Sequence, residues 1–197
     1  MLVTPVLLAG LVFQAPVCPD AAVAAHLKSL TAAYDEMKAG PIAQEGARRF
    51  LEALPRSFPC FYALFGYPND KPGPLYSEPE LYSLFPRLAA ALPPAELTKR
   101  IVELSVRAHW EADQTGALQE ASRALLDQHS SLYVNELRRL SKEEEVSVWR
   151  FLFDGPHPSN LTLSADVRRA VCSLSQRSCA SLDRVYVKAL AREKREH

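Results

Sequence analysis

The sequence predicts an all-α fold: one irregular multi-helix domain of eight or nine helices joined by Pro-rich loops. Two observations carry this. Apolar residues recur at a spacing of 3.6 residues through almost every segment, and no run alternates with period two for long. The stop signals are mostly prolines, 15 of them in a chain of 197 residues. Frequent proline stops favour many short helices over a long-helix bundle.

The N-terminus sets the compartment. No charged side chain precedes Cys18-Pro19-Asp20, and Val6 to Phe13 is an apolar run of signal-peptide length. Ala22-Val23-Ala24 fits the small-x-small rule, so residues 1–24 are expected to be a signal peptide and 25–197 a single helical domain. No Lys or Arg precedes the apolar run, and an apolar first element kept on the mature chain is the alternative. Pro16 and Asp20 end the run short of the roughly 20 residues that span a bilayer, so no stable membrane anchor is expected. Val17 before Cys18 does not suit a lipid anchor. A periplasmic or secreted protein is the expectation.

The helices follow in order. Ala21 to Lys38 presents Leu27, Leu30 and Tyr34, and Gly40-Pro41 stops it. Ile42 to Leu54 presents Phe50, Leu51 and Leu54. Ser57 is placed as an N-cap, with Pro59 tolerated in the first turn. Phe58, Phe61, Tyr62 and Phe65 then share one face, and Gly66 is expected to close the helix in a left-handed conformation. Pro68-Asn69-Asp70-Lys71-Pro72-Gly73-Pro74 must be an exposed loop.

Glu78 to Leu92 is expected to be a helix kinked at Pro86. Ala95 to Asp113 reads as a long, central helix with Leu97, Ile101, Leu104 and Ala108 on one face. Gly116 is expected to break the chain before a helix over Leu118 to Leu140. Ser141-Lys142-Glu143-Glu144 is a capping box, opening a helix that carries Val146, Trp149, Leu152 and Phe153. Asp154 to Asn160 is a second rigid loop. The last helices cover Ser164 to Leu174 and Ala180 to Glu193.

Four cysteines in an oxidising compartment suggest bridges. Cys172 and Cys179 cannot bond within one unbroken helix, where their Cα atoms would lie about 10 Å apart. The serines between them allow a turn between two helices, and a bridge across it is the preferred reading. Two buried thiols are the alternative. Cys60 can pair with Cys18 only if the N-terminus is retained, and otherwise packs alone. No Cys-x-x-Cys is present, so no zinc motif follows.

Charge and motifs narrow the functions. Lys plus Arg equals Asp plus Glu, at 23 each, which argues against a general nucleic-acid binder. There is no His-Glu-x-x-His, no Gly-rich phosphate loop and no Gly-x-Ser-x-Gly elbow, and no cofactor is expected. His109 and Asp113 stand at i, i+4, and His129 could approach them across the Gly116 turn. Such a set would suit a divalent metal. The competing reading is two core histidines bonded to carbonyls or carboxylates. Tyr67 and Tyr76 flank the Pro/Gly loop that holds Asp70, and they either clamp it or face a partner.

Phe50 to Pro55, Phe58, Phe61-Tyr62, Phe65-Gly66-Tyr67, Gly73-Pro74-Leu75-Tyr76, Trp110-Glu111-Ala112-Asp113 and Trp149 to Pro158 carry a resemblance. Over about Phe50 to Pro158 the chain resembles a family of small uncharacterised bacterial proteins. Phe153-Asp154-Gly155-Pro156-His157-Pro158 is its most specific part. The resemblance implies a bacterial source and no particular activity. Asp154 and His157 are either partner-binding residues or part of a corner that Gly155 and the prolines turn.

The expected function is therefore a non-enzymatic, exported protein that binds another protein, an immunity or inhibitor protein being one form. A metal-dependent hydrolase using His109, Asp113 and His129 is the second expectation. A binder of a small apolar ligand is the third.

Overall fold

The computed structural model describes residues 17–38, 44–77, 81–111, 114–155 and 161–196. Ten α-helices and one 3-10 turn occur among these residues, and no strand does. They are α1 Asp20–Lys38, α2 Gln44–Ala53, α3 Phe58–Phe65, α4 Leu81–Ala91 and α5 Pro94–Ser105. Then come α6 Gln114–Gln128, α7 Ser130–Leu137, α8 Lys142–Leu152, α9 Ala165–Leu174 and α10 Gln176–Glu196.

The all-α class is as expected, but the helix count is not. The helix expected over Leu118 to Leu140 is two helices. His129 leaves helical geometry at φ −136° and stands between α6 and α7. The amide of His129 still reaches Leu125 O at 2.8 Å, and its carbonyl accepts from Tyr133 at 3.0 Å. The bend therefore costs little backbone hydrogen bonding, which is why no Gly or Pro marks it. Gly116 does not break the chain; it lies buried inside α6.

A second departure concerns the long central helix. It ends at Ser105, and Arg107 turns back at φ 59°. Beyond that point Ala108 N–H still reaches Ser105 O at 3.3 Å, but three other amides bond to side chains. Arg107 N–H donates to Ser147 Oγ at 2.8 Å, Trp110 N–H to Asp154 Oδ2 at 2.9 Å, and Glu111 N–H to Thr115 Oγ1 at 2.7 Å. Tertiary acceptors thus replace the helical carbonyls.

What remains of α5 is central. It packs against α3, α4, α6, α7 and α8. Leu97, Ile101 and Leu104 form one buried stripe, and Thr98, Val102 and Ser105 a second. The second stripe needs polar partners. Ser105 Oγ donates to Ile101 O at 2.8 Å and lies 3.3 Å from Ser122 Oγ, which lies 2.6 Å from Tyr133 Oη. Arg100, also buried, reaches Leu54 O at 2.8 Å and ties α5 to the end of α2.

The capping box of α8 is present. Ser141 Oγ accepts from Glu144 N–H, and Glu144 accepts from Ser141 N–H at 3.0 Å. The hydrogen bonds its carboxylate accepts from Ser141, from the backbone N–H first and then from the side chain, hold the Glu144 carboxyl below its ordinary value. Ser57 caps α3 with its backbone only; its side chain makes no cap bond. Gly66 ends α3 at φ −98°, which is not the left-handed cap that a helix-closing glycine suggests. Glycine is needed there because a Cβ would strike the Tyr62 ring.

Two disulfides staple the fold. Cys172 and Cys179 are bonded across the α9/α10 junction, where Ser175 is extended at φ −157°. Arg168 forks onto Asp183 at 2.7 Å beside it, joining the same two helices. Cys18 is bonded to Cys60, so the segment before α1 is fastened to α3. The cleavage point expected after Ala24 falls inside α1, while residues 1–16 lie outside the described residues.

Candidate functional site

The loop after α3 is held from below by its own backbone. Gly73 N–H donates to Gly66 O and Leu75 N–H to Leu64 O, both at 2.9 Å. Gly73 is required there, since a Cβ would meet Leu64 O at 2.5 Å. Asn69 and Asp70 both sit in the left-handed region, at φ 54° and 58°. Asn and Asp tolerate that region better than other residues with a side chain. The Tyr67 and Tyr76 rings meet edge to face at 5.4 Å. Tyr76 is half-buried and Tyr67 is 41% exposed, so the pair both clamps the loop and leaves one ring in solvent.

Glu111, to which the sequence assigned no role, fastens this loop to the core. Its two carboxylate oxygens accept from Tyr62 Oη at 2.9 Å and from Tyr67 N–H at 3.2 Å. Burial, then the bond to Glu111, pushes the Tyr62 phenol up to about 12 from an ordinary 10.0. A raised phenol stabilises the fold fully below its ordinary value, and that part is lost as pH rises through the folded one. In an ultraviolet titration, Tyr62→Phe is expected to remove one ionisation near pH 12. Loss of an ionisation near pH 10 instead would mean that Tyr62 ionises with the solvent-exposed tyrosines.

Asp154 turns a corner. Its Oδ2 accepts from Trp110 N–H at 2.9 Å and its Oδ1 from Arg192 at 3.4 Å. Gln119 donates to Asp154 O at 3.0 Å, and also to Phe151 O. Gly155 follows at φ 97°, a conformation that favours glycine. The Asp154 carboxylate is thus a brace for residues 106–111. His157 lies outside the described residues.

His109 is placed differently from the sequence expectation, which put it on a helix. Because α5 stops at Ser105, His109 lies on no helix and shares no helix face with Asp113. The His109 ring stands 4.9 Å from both the Phe58 and Tyr62 rings, edge-on to each. Asp113 lies outside the described residues. His129 sits at the α6/α7 junction. Among the described residues no group of three or more His, Cys, Asp or Glu is placed to hold a metal ion.

Fold and site together define a class no finer than a disulfide-bridged, all-α domain with a rigid tyrosine-bearing loop. No family model, no curated protein and no solved structure matches the chain. No described helix is long and apolar enough to cross a membrane.

Proposed function

We propose that this chain is an exported, non-enzymatic protein that acts by binding another protein, in the periplasm or outside a bacterial cell. Its two disulfides suit an oxidising compartment. The observation that carries the binding reading is the Tyr67–Tyr76 loop. Backbone bonds and Glu111 preorganise it, and Tyr67 remains in solvent. A rigid tyrosine loses little side-chain entropy on docking and offers both ring and hydroxyl to a partner. Asp70, exposed beside it, adds a charge to the same surface. An inhibitor or immunity protein is the concrete form of this reading.

The test is affinity capture from the exported fraction of the producing cell, with wild type and Tyr67→Ala immobilised in parallel. Tyr67→Ala is expected to keep the thermal midpoint within a few degrees, as an exposed side chain does. It is expected to lose the captured protein. Equal capture by both sinks this reading.

A second reading, a binder of a small apolar ligand, has one observation behind it. A cleft of about 490 Å³ opens between α4, α5 and α6, lined by Phe85, Leu97, Ala117, Ala121 and Leu125 among others. Quenching or enhancement of an apolar fluorescent probe, lost in Ala121→Trp, would support it.

A further inference from the structure

Arg184, Lys188, Arg192 and Arg195 follow one another at one-turn spacing along α10. At about 1.5 Å per residue the row runs for roughly 16 Å. It borders the stripe with which α10 is buried, Ser181, Leu182, Val185 and Ala189. Facing it on α8 are Val146 and Arg150, with Phe153 just past the helix end. Between the two helices lies a cleft of about 680 Å³. Five cations and a single carboxylate, Asp154, line it.

That surplus is local, because the whole chain carries a formal charge of zero. The helix dipole accounts for part of it. Arg150 and Arg195 stand in the last turns of their helices, where cations are favoured. Arg184 and Lys188 lie in the middle of α10, where the dipole gives no reason for them. Internal pairing does not explain them either. Arg192 bonds Asp154 and Phe153 O, whereas Arg150, Arg184 and Lys188 make no ion pair with any described residue. All three are exposed. Three like charges along one cleft repel one another, and an anionic occupant would relieve that repulsion.

Spacing narrows the occupant. Cations four residues apart on α10 are about 6 Å apart along the axis, as are carboxylates at i and i+4 on another helix. Guanidinium groups take carboxylates in a planar, two-bond geometry. Val146 and Ala108 are half-buried and leave a narrow apolar strip beside the cations. We infer that the α8/α10 cleft docks an acidic amphipathic helix of a partner protein, through Arg150, Arg184 and Lys188. Docking here presupposes that the chain acts by protein contact, but it uses a surface other than the tyrosine loop.

The probe is a fluorescent synthetic helix with glutamates at every fourth position beside a leucine stripe. Its glutamine counterpart, a short duplex DNA and phosphatidylglycerol vesicles are run beside it. Wild type is expected to bind the glutamate helix more tightly than all three, with affinity falling as salt rises. The doubly substituted Arg184→Glu, Lys188→Glu chain is expected to bind it about tenfold more weakly or worse, since two attractions become repulsions. Arg184→Gln with Lys188→Gln should show a smaller loss, and serves if the reversed chain melts early. Tyr67→Ala should bind the probe like wild type. Equal binding of the glutamate and glutamine helices, or unchanged binding by both double variants, overturns the assignment and leaves the tyrosine-loop reading standing. Tighter binding of DNA or vesicles overturns it in favour of a phosphate-bearing partner.

Discussion

Trp149→Ala is expected to lower the unfolding free energy by about 3–5 kcal/mol, the range for deleting a large aromatic from a core. Trp149 is among the largest fully buried side chains of the chain. It stands on α8 with its ring 6.3 Å from that of Tyr133, so α8 and α7 meet across it. It also has a polar task. Its Nε1 lies 3.5 Å from Glu145 Oε1, and Glu145 is fully buried with Arg177 of α10 at 2.8 Å. Alanine leaves both a cavity and a buried carboxylate with one partner fewer. Urea unfolding followed by far-ultraviolet dichroism measures the cost. Trp149→Phe, which fills part of the space and lacks the N–H, is expected to fall between. A loss below about 1 kcal/mol would place Trp149 outside the cooperative core.

The second large effect is at the N-terminal bridge. Cys18 and Cys60 are separated by 42 residues and Cys172 and Cys179 by 7. In the loop-entropy account the longer closure stabilises by about 4 kcal/mol and the shorter by about 2.5. The doubly substituted Cys18→Ala, Cys60→Ala chain is therefore expected to unfold at lower urea than Cys172→Ala with Cys179→Ala. The reverse order would mean that the N-terminal segment is already tethered when the chain is unfolded. The same bridge makes cleavage after Ala24 measurable. Thiol titration of denatured, unreduced native protein should find no free thiol if Cys18 is kept. Cleavage after Ala24 would instead leave the Cys60 thiol free.

The helical class, the α8 capping box, the tyrosine-flanked loop and the Cys172–Cys179 bridge were all legible in the residues themselves. Each is a local matter. The pattern of apolar residues selects a helix, Ser141 and Glu144 bond within one turn, and Pro and Gly bar an α-helix over residues 68–74. The row Arg184, Lys188, Arg192 and Arg195 was also open to reading, since its period is helical. What turned it into a cleft was the approach of α8, which no local pattern announces.

Tertiary structure decided the rest. α5 ends at Ser105 although no Gly or Pro stands there, because Ser147 and Asp154 supply acceptors for the Arg107 and Trp110 amides. His109 then leaves the helix and stands edge-on to the Phe58 and Tyr62 rings, which removes the helix face it was expected to share. Glu111 becomes the fastening of a loop more than forty residues earlier, at Tyr67. These outcomes rest on partners distant in sequence. A backbone amide needs an acceptor, but the sequence around it does not say whether that acceptor is four residues away or on another helix.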